Sequence, residues 1–313
     1  MSDIAVVTLN WNGGEVAVES VRSLVAQTIA PAIWLTDNGS TDGSIDVIAK
    51  MFPQVNIIRN DANRGYARAV NQGLAAARDT KYVVLANNDV ILRDPGSLAR
   101  VVAYMDGHPE VNGLCGRYQY PDGAFQRFYN RLPTEFDLIV SWGAGRHIRP
   151  LLYTRRSREY HQADRDFSRS MTIEQPAFSC VLMRGDAWRR VGYLDEEFPI
   201  FFNDVDYCWR WRAHGFTWHY LPDWDIVHVH GHTMRRLPLL SAEKAGSAVR
   251  FARKHFSRPS AWRIRAAIVL EAAWRKAFHR DFAPSLRSIW RGDLFHAAGS
   301  EQSRSIAAGG RRA

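Results

Sequence analysis

The first third of the chain alternates between strand-like and helix-like segments, and this order limits the folds open to it. Residues 4–10, IAVVTLN, are apolar and β-branched without a helical period, which is typical of a strand buried on both faces. Residues 15–27 carry an apolar stripe at helical spacing, and residues 33–37 are strand-like again. Strands that alternate with helices predict an α/β fold, with a mostly parallel sheet flanked by helices.

The same pattern continues and then loosens. We expect further helices over 44–52, 66–78 and 98–109, and further strands over 55–60, 82–86 and 111–118. Residues 121–172 are rich in Arg, Tyr and Phe and show little period. They fit equally a mobile loop that faces a substrate and an irregular structural insertion.

Polar residues collect where the predicted strands end. Thr8 and Asn10 end the first strand, Asp37 and Asn38 follow the second, and residues 87–89, Asn-Asn-Asp, follow the strand YVVLA. Ligands bind at the carboxyl ends of strands in such sheets. Loop or capping roles explain any one of these clusters, but the three together favour a ligand site.

The sequence lacks two common nucleotide-binding motifs and contains a candidate metal ligand at this site. The first strand is followed by NWNGGE rather than GxGxxG, and no GxxxxGK[ST] occurs, so neither a dinucleotide turn nor a P-loop is indicated. Asp89 is a hard oxygen ligand, suited to Mg²⁺ or Mn²⁺ that also binds substrate phosphates. A metal placed there would stabilise negative charge on a leaving group.

A second pair of carboxylates, Asp204 and Asp206, lies in the aromatic segment FFNDVDYCWRWR. Burial raises the pKa of a carboxyl group and makes it a useful base. Alternatively, Asp204 caps the following helix and Asp206 pairs with Arg210 at i+4. We favour a functional role for Asp204 and leave both roles open for Asp206.

Three histidines alternate in IVHVHGHT, namely His228, His230 and His232. On a strand they would point the same way, as in a metal site. Gly231 interrupts that geometry, and the residue types alone do not favour metal binding over packing.

Composition narrows the class of protein. Hydrophobic residues make up 46% and charged residues 23% of the chain, as in a folded globular protein. Residues from Met234 onward hold 17 Lys/Arg and 5 Asp/Glu, whereas residues 1–233 hold 24 and 27. The basic C-terminal part suits nucleic acid, an anionic membrane or solubility, and charge does not choose among them.

Location is indicated by the cysteines and by the N-terminal sequence. Cys115, Cys180 and Cys208 form no CxxC or Cys/His array, so we expect buried thiols in a reducing compartment. Asp3 stands where a signal peptide would carry positive charge. No apolar run approaches the roughly 18 residues of a spanning helix, so we expect a cytoplasmic protein with peripheral membrane contact at most.

Six ordered blocks carry a resemblance to a known family. They are VVTLNWNG, TDNGSTDGS, DANRGYARAVNQGL, YVVLANNDV, FSCVLMRGDAWRRVGYLDEEFPIFFNDVDYCWR and LPDWDIVHVHGHT. Together they resemble family 2 of the inverting glycosyltransferases over residues 3–235, which implies the GT-A fold. Asn87 and Asn88 replace carboxylates found in many members, as in the rhamnosyltransferase-like branch, and fewer carboxylates imply weaker metal affinity.

The resemblance implies a role for each matching residue. The residues implied to bind the nucleotide sugar are Thr8, Asn10, Asp37, Asn63, Arg64, Gly65, Asn87 and Asn88. Within that set, Asp37 would accept a hydrogen bond from the base and Asn88 would lie near the ribose. Asp89 and His228 would bind Mg²⁺ or Mn²⁺, with His228 close to the diphosphate.

For catalysis, the resemblance implies that Asp204 is the general base. It would deprotonate an acceptor hydroxyl that attacks the anomeric carbon opposite the leaving nucleoside diphosphate. We keep Asp206 as a second catalytic candidate. Asn203 replaces the commoner Glu, which puts in doubt the contact that Glu makes to the acceptor.

The implied substrates are a dTDP- or UDP-sugar, with dTDP-rhamnose the preferred donor, and a saccharide or polyprenyl-diphosphate-linked acceptor of a bacterial surface polysaccharide. No nucleic-acid partner is expected. One alternative is a sugar nucleotidyltransferase, which would need a Gly-rich loop with Arg where NWNGGE stands. Another is a non-catalytic carbohydrate-binding protein, which would not need both Asp89 and Asp204.

We expect a catalytic domain over 1–235, a basic helical extension over 236–300 and a flexible tail over 301–313. Within the extension, residues 262–278 place Trp262, Leu270 and Trp274 on one apolar face. A basic amphipathic helix with Trp suits a membrane interface. Packing of that face on the catalytic domain explains the same pattern, so both interpretations stay open.

Overall fold

The computed structural model describes residues 3–142, 150–229 and 240–278. Its strands are β1 Ile4–Asn10, β2 Ala32–Asp37, β3 Asn56–Arg59, β4 Tyr82–Ala86, β5 Val90–Ile91, β6 Gly113–Gln119, β7 Tyr129–Asn130, β8 Met171–Ile173, β9 Gln175–Pro176, β10 Cys180–Arg184 and β11 Trp218–His228. Its helices are α1 Gly14–Val25, α2 Ser44–Met51, α3 Tyr66–Ala76, α4 Ser97–Gly107, α5 Glu135–Trp142, α6 Pro150–Tyr160, α7 Gly185–Val191, α8 Asn203–Ala213, α9 Leu240–His255 and α10 Arg258–Phe278.

A nine-stranded mixed sheet forms the centre, in the order β3-β2-β1-β4-β10-β6-β11-β5, with β8 also paired to β11. The strands β1 to β4 are mutually parallel where they pair. β10 runs antiparallel to both β4 and β6, and β6 is parallel to β11. The parallel half is therefore the part built by the alternating N-terminal segments, as predicted.

Burial explains why the central strands lack a two-residue period. Every residue of β4 is buried, and so is all of β1 except Leu9, which is partly buried. A strand covered on both faces gains from apolar side chains at each position. The sheet core continues through all three cysteines, which are buried with free thiols, as expected.

The segment 121–172 forms a structural insertion over its described part. It contributes β7, which pairs antiparallel with β9, and the helices α5 and α6. Aromatic rings fix it to the sheet: Tyr129 stacks on Phe167 with centroids 4.9 Å apart and meets Tyr220 of β11 edge-on at 5.0 Å. The aromatic richness of this segment therefore serves packing.

Helices α9 and α10 pack beside α5. The inward residues of α10 are Ala261, Ile264, Ile268 and Ala272. Arg263 forms a two-point ion pair with Glu135 of α5, at 2.5 and 3.0 Å. The predicted domain boundary after residue 235 and the predicted tail over 301–313 lie outside the described residues.

The stripe singled out in the sequence is not the packing face of α10. Trp262, Leu270 and Trp274 are 61%, 64% and 49% exposed. Packing by the opposite face therefore leaves Trp262 and Leu270 at the surface of the described structure. Among the described residues, no helix has the length and apolarity to cross a membrane.

Candidate active site

The carboxyl ends of β1 and β2 meet at one edge of the sheet, where Asn10 lies opposite Asp37. The amide nitrogen of Asn10 lies 3.2 Å from Oδ1 of Asp37, 3.1 Å from Oγ of Ser40 and 2.9 Å from Oγ of Ser44. One side chain thus connects the end of β1 to the loop that leads into α2.

The carbonyl of Asn10 completes the connection. Its Oδ1 accepts hydrogen bonds from the backbone N–H of Gly13 at 3.3 Å and from Nδ2 of Asn88 at 3.2 Å. A Cβ at position 13 would lie 2.5 Å from Nδ2 of Asn88, so only glycine allows this approach. Asn10 is fully buried, and these bonds show that it also holds the loops at the predicted nucleotide edge.

Two buried polar atoms at this edge have no protein partner. Thr8 lies opposite Ala86 in the β1–β4 ladder, and Asn87 follows Ala86 in the chain. Oγ1 of Thr8 and Oδ1 of Asn87 are buried without a hydrogen bond in the described structure. Buried polar atoms are usually satisfied, so these two fit a site that a bound polar molecule completes.

The loop before α3 borders the same edge. Asn38 donates from Nδ2 to Oδ1 of Asn63 at 3.3 Å and to the carbonyl of Gly65 at 3.1 Å. Gly65 has a φ of +86°, and a Cβ there would lie 2.9 Å from Pro199. Arg64 is exposed beside them and pairs with Asp61 at 2.8 Å. The structure therefore brings Asn63, Arg64 and Gly65 to the predicted ligand edge.

Asp89 and His228 come together from distant parts of the chain. His228 lies opposite Val90 in the β5–β11 ladder, and Val229 donates its N–H to the carbonyl of Asp89 at 2.9 Å. These bonds place Nε2 of His228 3.4 Å from Oδ1 of Asp89. The other two histidines of the alternating motif lie outside the described residues.

Gln126 fixes the orientation of His228 and was not identified from the sequence. Its Nε2 donates to the backbone carbonyl of His228 at 2.6 Å, so its Oε1, 3.0 Å from Nδ1, must accept a hydrogen bond from that ring nitrogen. In a neutral imidazole the proton therefore lies on Nδ1, which leaves Nε2, on the side of Asp89, free to bind a metal. Metal-binding histidines are commonly held in this way.

These residues fit a divalent cation. Two ligands on adjacent positions of an octahedral ion are about 3 Å apart, close to the separation of Nε2 of His228 and Oδ1 of Asp89. Among the described residues no cluster of three or more His, Cys, Asp or Glu side chains encloses a metal site. Substrate phosphates and water would supply the remaining ligands, as is usual for Mg²⁺.

Asp204 lies in the first turn of α8 and is partly buried. Burial raises the pKa of its carboxyl group to about 6, against the lowering effects of the Val205 N–H, the Lys244 ammonium and the Gln175 amide. The carboxylate is thus ionised at neutral pH and still basic enough to accept a proton.

Asp206 faces the interior instead. Its carboxylate is fully buried, with Arg210 Nε at 2.9 Å and both Lys254 Nζ and His255 Nε2 at 2.7 Å. Burial alone would raise its pKa, but these three partners lower it to about 2. An enclosed carboxylate with three basic partners cannot reach an acceptor, so we assign Asp206 a structural role and withdraw it as a catalytic candidate.

Tyr66 connects the two halves of the site. Its hydroxyl donates to the carbonyl of Phe178 at 3.1 Å. The pKa of this phenol is raised by burial first and also by the negative charges of Asp204 and Asp89. Both carboxylates therefore lie near enough to Tyr66 for their charges to act on its phenol.

Comparison with known proteins bears on the family and the fold. A family profile described as glycosyl transferase family 2 matches residues 4–181. A Mycobacterium tuberculosis protein named N-acetylglucosaminyl-diphospho-decaprenol L-rhamnosyltransferase is 25% identical over 289 residues, which cover 87% of this chain and 92% of the relative.

Solved structures share the fold. A mannosyltransferase from Pyrobaculum calidifontis, in complex with GDP-Man and Mn²⁺, superposes with a TM-score of 0.52 at 14% identity, covering 98% of this chain and 86% of its own. S. aureus TarS 1-349 in complex with UDP-GlcNAc also gives 0.52 at 14% identity, covering 97% and 83%.

Proposed function

The chain belongs to glycosyl transferase family 2, and from this we propose that it transfers rhamnose from dTDP-rhamnose to a polyprenyl-diphosphate-linked saccharide. Transfer of a sugar from a nucleotide sugar is the activity of the family. Family membership sets aside both the sugar nucleotidyltransferase and the non-catalytic binding protein.

The mycobacterial relative supports the choice of sugar and acceptor. Its name states transfer of L-rhamnose to an N-acetylglucosaminyl-diphospho-decaprenol, and the similarity extends over most of both chains. At 25% identity the relative supports an acceptor of this class, a saccharide linked through diphosphate to a long lipid, more strongly than any individual lipid.

The observation that carries the mechanism is that the charges of both Asp89 and Asp204 act on the phenol of Tyr66. Asp89 belongs to the ligand edge formed by β1, β2 and β4, whereas Asp204 belongs to α8. A nucleotide sugar seated at that edge would present its sugar to the cleft that contains Asp204. The acceptor would enter from the side of α8.

On the donor side, residues of this chain would bind the nucleotide and the metal ion. The edge at Thr8, Asp37 and Asn87 would hold the nucleoside, and the loop at Arg64 would border it. Asp89 and His228 would hold Mg²⁺ or Mn²⁺, which when bound stabilises negative charge on the departing diphosphate.

On the acceptor side, Asp204 takes the proton. As the acceptor oxygen forms its bond to the anomeric carbon, its proton passes to the Asp204 carboxylate, and the bond from the anomeric carbon to the diphosphate oxygen breaks. The bond electrons leave with the nucleoside diphosphate. A single displacement of this kind inverts the anomeric configuration.

A lipid-linked acceptor requires contact with a membrane surface. We propose that α10 provides it through Trp262 and Leu270, which are exposed. Residues 240–278 hold 9 Lys/Arg and 2 Asp/Glu, a charge that favours anionic lipid headgroups.

The test is a transfer assay with a synthetic, short-chain polyprenyl-diphosphate N-acetylglucosamine and either Mg²⁺ or Mn²⁺. The donors are dTDP-rhamnose, UDP-N-acetylglucosamine, UDP-glucose and GDP-mannose. We expect a disaccharide product with dTDP-rhamnose only. Turnover with a different donor alone would reject the proposed sugar, and turnover only with a free saccharide would reject the proposed acceptor.

A further inference from the structure

We infer that Gln175 is a positioning residue for the Asp204 carboxylate and that hydrogen bonds from His161 through Asn130 hold Gln175 in place. The inference rests on the proposed role of Asp204 as the base. It assigns a function at Asp204 to the insertion between β6 and β10, which also orients His228 through Gln126.

Hydrogen bonds connect four side chains in the order His161, Asn130, Gln175 and Asp204. Nε2 of Gln175 donates to Oδ2 of Asp204 at 2.9 Å. Oε1 of Gln175 accepts from Nδ2 of Asn130 at 2.8 Å. Oδ1 of Asn130 lies 2.7 Å from Nδ1 of His161. Gln175 is buried, whereas His161 is exposed, so the line starts at the surface and ends at the carboxylate.

The surroundings determine the direction of each bond. The amide nitrogen of Gln175 faces two acceptors, the Asp204 carboxylate and, at 3.3 Å, the carbonyl of Pro176. Rotating the amide by 180° would put its oxygen against both. Its Oε1 must therefore face Asn130 and accept, so Oδ1 of Asn130 faces His161 and requires a proton on Nδ1.

The backbone fixes the middle of the line. Asn130 of β7 and Gln175 of β9 are direct partners in an antiparallel ladder, where opposite side chains lie close enough to interact. The ladder is tied to the end of α6, because Arg131 donates its N–H to the carbonyl of Tyr160 at 2.9 Å. His161 follows directly in the chain.

The effect on Asp204 is to fix the plane of its carboxylate. Oδ1 accepts from the N–H of Val205 at 2.9 Å while Oδ2 accepts from Gln175. With both oxygens held, the plane of the carboxylate and the direction of its remaining lone pairs are set. Amides do not pass protons along such a line, so the chain orients the base and does not relay its proton.

The other groups around Asp204 do not replace this contact. Lys244 of α9 acts on Asp204 through its charge. Tyr66 of α3, Tyr160 of α6 and Cys208 of α8 have pKa values raised by burial and by the charge of Asp204, so they are neutral at physiological pH. Gln175 differs from these groups in that it donates a hydrogen bond to Oδ2 of Asp204 at 2.9 Å.

The first test measures the titration of the Asp204 carboxyl group by NMR. In protein with ¹³C-labelled aspartate, the ¹³Cγ signal of Asp204 is the one that is missing from the Asp204→Asn variant. Its chemical shift is then measured as a function of pH. Gln175→Leu removes the donor, so we expect the midpoint to rise by about half to one pH unit. Asn130→Leu should raise it less. Gln162→Met, which replaces another buried glutamine of the insertion, should leave it unchanged.

Kinetics provide the second readout. We expect Gln175→Leu to lower kcat roughly 10-fold with an unchanged KM for the donor, and to move the acid limb of the kcat/KM profile upward with the NMR midpoint. If Gln175→Leu fails to fold, Asn130→Leu carries the test. An Asp204 midpoint and acid limb equal to those of wild type, in either folded variant, would overturn the inference.

These results separate the inference from the proposed function. Full transfer activity in Asp204→Asn would reject Asp204 as the base and thus the mechanism. Loss of activity in Asp204→Asn together with an unshifted midpoint in Gln175→Leu would reject the positioning role alone.

Discussion

The carboxylates of Asp204 and Asp206 lie two residues apart on the first turn of α8 and face opposite environments. Successive residues of a helix turn by about 100°, so the two side chains point about 200° apart. Asp204 faces the amide of Gln175 and has a pKa raised by burial to about 6, whereas Asp206 faces three basic side chains that lower its pKa to about 2. One turn of helix thus separates the chemistry of the site from the ion-pair cluster that fixes α9.

Replacement of the base should remove catalysis without removing donor binding. We expect Asp204→Asn to lower kcat about 10²–10⁴-fold, because general base catalysis contributes that much, with little change in the donor KM. Glu174→Gln, at an exposed carboxylate next to Gln175, is the control and should keep wild-type rates. Equal kcat values for Asp204→Asn and wild type would exclude the proposed base.

The same substitution should stabilise the fold at neutral pH. The folded pKa of Asp204, about 6, lies above its ordinary value of 3.8, so the folded state binds more protons and loses stability as pH rises from about 4 to 6. Asp204→Asn should gain on the order of 1–2 kcal/mol at pH 7.5, measured by urea unfolding. The gain should vanish near pH 4, and a gain independent of pH would contradict the assignment.

Removal of the buried carboxylate of Asp206 should instead lower the free energy of unfolding at neutral pH. Asp206→Asn leaves Arg210, Lys254 and His255 without their shared anion, and breaking a buried ion pair costs about 3–5 kcal/mol. Because the folded pKa is lowered, this stability is present above pH 4 and is lost as pH falls toward 2. Urea unfolding at pH 7 and at successively lower pH measures both effects.

Asp195 supplies a matched control for that experiment. It also pairs with Lys254, at 2.5 Å, but its side chain is 25% exposed. Asp195→Asn should cost less than about 1 kcal/mol, as for other solvent-accessible pairs. Equal losses in the Asp195→Asn and Asp206→Asn variants would show that Lys254, and not the buried cluster, determines the stability.

We expect the affinity for Mn²⁺ to depend on Gln126, which holds His228 and is not itself a proposed metal ligand. Gln126→Leu removes the acceptor that keeps the proton on Nδ1 of His228, and loss of such a partner typically costs 10–100-fold in metal affinity. Electron paramagnetic resonance titration of Mn²⁺ in the presence of dTDP measures the affinity. Asp89→Asn should weaken it at least as much, whereas Gln162→Met should have no effect.

Sequence reasoning predicted the parts of this site that local patterns encode. The parallel strands β1 to β4 follow from alternating apolar segments, and the polar residues at their ends, such as Asp37 and Asp89, follow from strand termination. Asp204 was singled out because a carboxylate in an aromatic segment is expected to be buried, which raises its pKa. In each case the informative residues lie within a few positions of one another.

The rest depends on contacts between distant segments. Gln126 and His228 are 102 positions apart, and Gln175 and Asp204 are 29 apart. No period or motif relates the members of each pair, because the path of the insertion over the sheet determines which residues are in contact. The same holds for Asn10: its position at the end of β1 was predictable, but its hydrogen bonds to Ser40 and Asn88 were not.

The exposed face of α10 leads to a prediction about membranes. Each large apolar side chain that becomes buried contributes about 1.5–3 kcal/mol, so the double variant Trp262→Ser/Leu270→Ser should bind phosphatidylglycerol-containing vesicles at least 10-fold more weakly in a sedimentation assay. Val47→Ser/Met51→Ser on α2, where both residues are similarly exposed, is the matched control and should bind normally. Salt should weaken wild-type binding, since attraction of the basic helices to anionic lipid is screened. Unchanged binding by the α10 variant would mean that the lipid-linked acceptor is reached through another surface.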